Sequence, residues 1–476
     1  MRMPSDQRAD TSTVATSARP QDGVAPNRAL LLLTVSLGGV LAPLNSTMLA
    51  VALPEIGEAF AVSAGRVTWL VSAYLIAMAV AQPLGGRIGD QLGRARVFRA
   101  GLLAFLGFSI GAAFAPSFPV LVLFRAGQAL TGAAVIPNGM AMLRASVPVA
   151  ELGRTIGING SVLSASAAAG PVVGAALVGL GSWRLLFLIN VPLVAVALLC
   201  QAWLGFRDGR PRERFVADWL GAVAFAALLT LTTLLLNALR GGVNPVAVAA
   251  GIVGLVGCTW LFVRRQRTGP LPLTDWRLFR RRSFAASTVY ILLSNLVMYT
   301  TLLTIPFFLK EVQGRGATAA GLLLASLSVL MAVLAPGAGR LSDAWGRRLP
   351  ALVGSCFVAG GVVLLLAGLR ADAGYGYLAA SLAVLGLGMG LSTGPASTAA
   401  IETAPAGLAA TASGTNSMMR YLGSIVGAGI LGAVLSSGDT APGIGVFRLI
   451  FAVLLVLAVV AVVAAAGIHR FPAPDE

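Results

Sequence analysis

A single histidine occurs in the 476 residues, His469, and it stands in the C-terminal tail. That excludes a histidine metal site or general base inside the protein. Cysteine is nearly as scarce. Cys200, Cys258 and Cys356 each interrupt an apolar stretch without Cys-x-x-Cys spacing, and they read as packing residues. With no nucleophile–base pair and no cluster of metal ligands, neither an enzyme nor a cofactor is expected. A phosphate-binding Gly-x-x-x-x-Gly-Lys-[Ser/Thr] loop is missing too, so any driving force is an ion or substrate gradient, or a separate protein. Charge is thin at 11% of residues and leans to one sign, 34 basic side chains against 18 acidic. A soluble fold of this length needs more charged surface.

What is plentiful is apolar: 57% of the chain, with a mean hydropathy of +0.86. Several apolar runs reach the ~18 residues that cross a bilayer as a helix. Spans are expected at 29–53, 67–89, 97–116, 119–143, 155–180 and 184–204, then at 217–239 and 245–263. Six more follow at 284–309, 318–339, 350–369, 375–397, 411–436 and 444–467. The fold class is all-α integral membrane with fourteen transmembrane helices. Residues 1–28 are polar, lack the short apolar core of a cleavable signal, and read as a disordered tail.

Placing both termini on one side gathers most arginines there: the tail, the residues near 87–99, Arg144, Arg154, the connectors around 207–214 and 264–282, Arg340, Arg347, Arg348 and Arg470. The other side receives Arg66, Arg184, Arg240, Lys310, Arg315 and Arg370, with Arg448 near that edge. By the positive-inside rule both termini are cytoplasmic, in a cell-membrane protein. The net charge of +16 does not point to nucleic acid, because the basic residues sit in short clusters between apolar runs.

The segment Gly86-Arg-Ile-Gly-Asp90-Gln-Leu-Gly93-Arg94 recurs as Gly339-Arg-Leu-Ser-Asp343-Ala-Trp-Gly346-Arg347, 253 residues later, and Pro83 and Pro336 keep that interval. Pro148, Gly157 and Asn159 match Pro405, Gly414 and Asn416 at an interval of 257. Two pseudo-symmetric six-helix bundles are therefore expected, 29–204 and 284–467, with spans 7 and 8 inserted in a linker, 205–283, and a short tail, 468–476. Duplication of this kind is the ground plan of alternating-access transporters, with the substrate near the midplane between the halves.

With these residues in view, the sequence resembles the major facilitator superfamily along nearly the whole chain after residue 28, and within it the fourteen-span drug:proton antiporters of bacterial multidrug and antibiotic efflux. The doubled Gly-x-x-x-Asp-x-x-Gly-Arg motif carries most of this likeness. Arg125-Ala-Gly-Gln128 in span 4 resembles the family's Arg-x-x-Gln. Gly170-Pro171-Val-Val-Gly174 in span 5 resembles the antiporter Gly-Pro-x-x-Gly-Gly, although Ala175 replaces its last glycine. Leu44-Asn45 through Pro54 resembles the first-span signature.

The resemblance implies that Gly86, Asp90, Gly93 and Arg94 form a latch in the loop between spans 2 and 3, with Gly339, Asp343, Gly346 and Arg347 as its second copy. The glycines permit close approach and a tight turn, and Asp90 can meet a helix N-terminus or an arginine in one transport state only. An ordinary capped loop is the alternative. Arg125 lies inside span 4, where a charge costs about 2.5–3.5 kcal/mol on insertion scales and so argues for a partner or a function. The family places it near the proton path; bonding helix backbones together is the alternative. Gly170, Pro171 and Gly174 would bend span 5 as a hinge or serve plain helix packing.

One departure bears on the cargo. The fourteen-span group usually carries an aspartate where this chain has Asn45, and Ala50 replaces the usual asparagine five residues on. No acid falls confidently at mid-membrane, so a neutral or anionic, fairly apolar substrate is expected. Proton coupling then needs Arg125 with an edge acid, Asp90, Asp218 or Glu402, or the substrate's own titratable group. Candidates for the cavity are Asn45, Thr47, Tyr74, Gln128, Asn138, Asn159, Asn295, Tyr299 and Asn416 for polar contacts, with Met48, Met298 and Phe307 for apolar surface. The expected partners are a small-molecule substrate, protons and the lipid bilayer, with the protein acting as a monomer. Export of small amphipathic compounds leads the functional reading; uptake of a nutrient by the same fold, or a non-transporting receptor or scaffold, are the alternatives.

Overall fold

The computed structural model describes residues 27–204, 208, 218–238, 245–268, 275–405, 408–435 and 443–470. Residues 1–26 of the expected first tail, most of the first basic connector, 269–274 of the second and 471–476 lie outside that set, and Arg28, expected in the tail, already opens the first helix. Among the described residues there is no strand, and fourteen helices are long and apolar enough to cross a membrane. They are α1 (Arg28–Ala59), α2 (Ala64–Leu92), α3 (Arg94–Ala113), α4 (Phe118–Ser146), α5 (Arg154–Gly179), α6 (Leu185–Leu204), α7 (Trp219–Leu236) and α8 (Pro245–Thr268). Then come α9 (Arg282–Glu311), α10 (Ala317–Trp345), α11 (Arg348–Gly368), α12 (Tyr375–Glu402), α13 (Thr411–Leu435) and α14 (Ile444–Ala466).

Each helix lies on one apolar run, but several reach past it into polar sequence. α2 continues through Pro83 to Leu92 and α10 through Pro336 to Trp345. Asp90 and Asp343 therefore stand on the last helical turn rather than in a loop. The chain reverses at a single glycine after each helix, Gly93 with φ +99° and Gly346 with φ +84°. A side chain is strained in that left-handed region, so one glycine replaces a longer turn.

The helix pairings repeat. In the first bundle α1 packs on α4, α5 and α6, α2 on α4, and α3 on α4 and α6. The same six pairs recur eight helices later: α9 on α12, α13 and α14, α10 on α12, and α11 on α12 and α14. The fold is thus two pseudo-symmetric six-helix bundles, with α7 and α8 packed on each other and α7 set against α2 and α13. Between the bundles α5 meets α10, α2 meets α13 and α1 meets α9.

These interfaces close on one side only. On the side away from the termini, α5 and α10 approach until a Cβ on Gly321 would stand 2.5 Å from the Pro171 carbonyl and 2.2 Å from the Ala175 methyl. Toward the termini the same helices part: a Cβ added to Gly157, Gly160 or Gly339, on the faces that meet farther along, would find nothing within 4 Å. Ser161 and Ser164, on the α5 face that carries Ala175, are exposed there. The halves of α1 and α9 away from the termini, from Asn45 to Leu53 and from Thr300 to Leu309, are buried without interruption. The result is a cleft between the bundles, open toward the termini and sealed at the far side.

Candidate functional site

The deepest polar feature is built around Arg125, 1% exposed. Its Nη2 donates to the Asn45 carbonyl at 2.7 Å and its Nη1 to Gln128 Oε1 at 3.0 Å, and the Tyr74 ring centre lies 4.0 Å from the guanidinium carbon. Gln128 Nε2 passes the chain on to Ser109 Oγ at 2.6 Å. Asn45 and Asn190 exchange amide hydrogen bonds at 2.7 and 3.0 Å, and Asn190 also donates to Ser109 at 3.3 Å. Tyr74 ends the network on the Ala42 carbonyl at 3.2 Å. Five helices, α1, α2, α3, α4 and α6, are tied together without one carboxylate. A buried charge is tolerated where hydrogen bonds satisfy it, and here neutral dipoles meet both terminal nitrogens and a ring face meets the guanidinium plane, while Nε keeps no partner among the described residues. The sequence reading names Arg125 for proton coupling and Asn45, Tyr74 and Gln128 for the cavity; the structure brings all four together inside the first bundle. That reading missed Asn190, for which the signal was a polar residue opening an apolar run, and Ser109, which nothing in the sequence sets apart.

The two motif copies sit at the terminal ends of α2–α3 and α10–α11. Asp90 pairs with Arg94 at 2.9 Å, and Arg94 also donates to the Ala141 carbonyl at 3.3 Å. The N-terminus of α3 is capped by Asp208, which accepts from the backbone of Ala95 at 2.7 Å and of Arg96 at 3.2 Å. In the second copy Arg347 bonds both Asp343, at 2.5 Å, and Glu402, at 2.7 Å, while its backbone N–H donates to the Arg470 carbonyl at 2.8 Å. The bond to Glu402 above all holds the Arg347 guanidinium above its ordinary pKa; burial opposes it, and Asp343 adds a lesser upward pull. The close approach expected at Gly86 falls instead at Gly89, where a Cβ would collide with the Asn138 amide.

Along the interface, Tyr299 of α9 donates to Ser46 of α1 at 3.1 Å. Gly170 and Gly174 bring α5 onto α1, where a Cβ would strike Thr47 and the Met48 carbonyl; Pro171 and Ala175 face α10, and α5 runs helical through the proline. Asn159 accepts from Ser36 at 3.0 Å, and Thr47 donates to the Ala167 carbonyl at 3.0 Å. At the far mouth Lys310 of α9 and Glu58 of α1 form an ion pair at 2.7 Å, beside a shallow hollow of about 580 Å³ that Glu55, Trp183 and Arg184 help to line.

A model of the Major Facilitator Superfamily matches residues 35–428. The chain belongs to the Major Facilitator Superfamily. The uncharacterized MFS-type transporter YvkA of Bacillus subtilis (strain 168) is 30% identical over 92% of this chain and 95% of its own. The multidrug resistance protein Stp of Mycobacterium tuberculosis (strain CDC 1551 / Oshkosh) is 31% identical over 86% and 76%, and the tetracenomycin C resistance and export protein of Streptomyces glaucescens 30% over 86% and 77%. Among solved structures, a bacterial homolog of the human lysosomal transporter Spinster, inward-facing and unoccupied, superposes with a TM-score of 0.67 at 17% identity, covering 93% of this chain and 97% of that one.

In this MFS transporter the remaining candidates divide by place. Asn138 gives its amide to the carbonyls of Gly85 and Ala134, both at 2.8 Å, bracing α2 to α4. Met48 and Phe307 are buried in the core, and Met298 is half-buried. Asn295 donates to its own helix at the Ile291 carbonyl. Asn416 is 4% exposed, and its Oδ1 has no partner among the described residues. Asp218 caps the start of α7 through the Gly221 N–H at 2.9 Å. The proton-coupling candidates are therefore not gathered at one point: Arg125 lies inside the first bundle, whereas Asp90, Asp218 and Glu402 stand at helix ends near the termini.

Proposed function

We propose that this transporter exports small amphipathic compounds, antibiotics or other drug-like molecules, from the cytoplasm by alternating access, in exchange for protons and as a monomer in the cell membrane. The positive-inside rule sets the terminal side in the cytoplasm. The cleft then opens to the cytoplasm, as an exporter loading its cargo requires, and the bundle boundaries near 204 and 284 mark the moving bodies. The observation that carries the reading is the one-sided opening between α5 and α10, tight at Gly321 and free at Gly157 and Gly339. Relatives named for multidrug resistance and tetracenomycin C export support the direction.

The cleft and its surroundings favour one class of cargo. The Arg125 network holds no acid, and the acids near the cleft stand at helix ends, so a neutral or anionic, fairly apolar molecule fits better than a lipophilic cation. Proton exchange then runs through the helix-end acids or through the cargo's own titratable group. Reconstituted vesicles with an imposed pH gradient test this directly. Outward movement of an amphipath that stops when the gradient is collapsed is the expected result; gradient-driven accumulation in the opposite direction would establish uptake instead. A disulfide between cysteines placed at Gly157 and Gly339, in a background lacking Cys200, Cys258 and Cys356, should freeze flux, and full-speed flux in the locked protein would end the alternating-access account.

A further inference from the structure

We infer that the open half of the cleft holds an anion subsite on α13, in which Arg420 and Asn416 receive the carboxylate of an amphipathic organic acid. The inference rests on the export reading and names the cargo chemistry for it. Arg420 is the tenth residue of α13, roughly 14 Å along the helix from its cytoplasmic end. A charge that deep is costly unless it faces water or a partner. Arg420 is exposed, it reaches Ser397 Oγ at the long distance of 3.5 Å, and none of the six ion pairs among the described residues includes it.

Its direction follows from the helix. Gly423 and Gly427 press on the carbonyls of Leu292 and Leu296, which sets that face of α13 against α9. Arg420 lies about 60° round from Gly423 and reaches Ser397 of α12, at the mouth between α12 and α13. One turn earlier on the same face stands Asn416, buried, with its Oδ1 unpartnered. The internal repeat shows what is unusual here. Asn159, the counterpart of Asn416, accepts from Ser36 at 3.0 Å. At the repeat intervals of 253 and 257, Ser36 corresponds to Val289 and Leu293, which carry no hydroxyl. The second copy thus keeps the amide, drops its partner, and places a guanidinium beside it.

The orphaned Asn416 Oδ1 is an acceptor, which a carboxylate cannot use; with the amide turned over, its NH2 takes that place and donates alongside the paired N–H groups of the Arg420 guanidinium.

Binding of dansylglycine and of its uncharged methyl ester to the purified full-length protein, read by dansyl fluorescence, tests the subsite apart from transport. Arg420→Gln should weaken the acid at least about tenfold and the ester less than about twofold, with Arg420→Lys in between and Asn416→Leu weakening the acid by about threefold or more. Equal loss of acid and ester, or no loss of either, overturns the subsite. Stronger displacement by phosphatidylglycerol than by unlabelled aromatic acids also overturns it, assigning the arginine to a lipid headgroup. If the wild type binds the acid with this selectivity yet moves no amphipath in vesicles, the export reading fails while the subsite stands.

Discussion

Tyr299 donates to Ser46 at 3.1 Å, and the two residues are 253 positions apart, the same interval that separates the two motif copies. The bond therefore joins equivalent places in the two bundles and marks where the pseudo-twofold axis crosses their interface. It has to break whenever the bundles part on the far side. A neutral hydrogen bond contributes about 1 kcal/mol, so Tyr299→Phe should raise the population opened to the far side about fivefold. Lys310 is the chain's sole lysine and reports this opening. Its labelling by a membrane-impermeant amine reagent should quicken by that factor, and an unchanged rate would remove Tyr299 from the closure.

The pair between Lys310 and Glu58 closes the same mouth more weakly. Glu58 is 69% exposed, so solvent screening limits the pair to about 0.2–1 kcal/mol. Glu58→Gln should speed Lys310 labelling by no more than about fivefold at low ionic strength, and ~1 M salt should erase the difference. A difference that survives high salt would mean that Glu58 acts through something other than this ion pair.

The sequence was most legible where one physical demand acts alone. Apolar runs and arginine clusters locate all fourteen helices, because the bilayer imposes length and hydropathy independently of tertiary contacts. The doubled Asp90 and Asp343 motifs announce the two bundles for the same reason, since a repeat survives any packing. Side-chain partners were less legible. Asn45 reads as a cavity residue until Asn190, 145 positions away, is seen to take its amide. Gly86 reads as the close approach until Asn138 is found against Gly89. Such pairings depend on which faces of distant helices meet, and hydropathy carries no record of that.

Arg125 offers a sharper test, because its two acceptors lie on different helices. A lysine ammonium at the end of a flexible stem cannot span the Asn45 carbonyl and Gln128 Oε1 as the planar fork does. Arg125→Lys leaves one acceptor without its charged donor, a loss of about 1.5–3 kcal/mol. Thermal unfolding in detergent should shift downward and flux should fall at least about tenfold. A lysine variant that pumps at the wild-type rate would show that the network is not required for transport.

If the doubled motif is a latch, its two copies should not answer alike. Arg94 has one carboxylate partner, Asp90, whereas Arg347 has two, Asp343 and Glu402. Asp90→Ala should cut export about tenfold or more with membrane abundance unchanged, while Asp343→Ala costs less than about threefold because Glu402 remains. Removing Asp343 and Glu402 together should bring the second copy level with the first. Export that is indifferent to Asp90→Ala would discard the latch.

The most exacting contact is the one between Ala175 and Gly321. Ala175 departs from the antiporter motif, and α10 accommodates the extra methyl with a glycine: a Cβ on Gly321 would lie 2.2 Å from that methyl. Gly321→Ala alone should overpack the far-side seal and cost about 1–3 kcal/mol, seen as lower thermal stability and as a cleft biased away from the form open toward the termini. Replacing Ala175 by glycine in the same chain removes one of the two colliding methyls. The Pro171 carbonyl, 2.5 Å from the new Cβ, still needs a small shift, so rescue should be large but incomplete. A double variant no better than the single one would place the strain at the Pro171 carbonyl and not at Ala175. The two methyls are adjacent, so their effects must fail to add, and a thermodynamic cycle over the four chains measures how far the glycine on one helix depends on the alanine on the other.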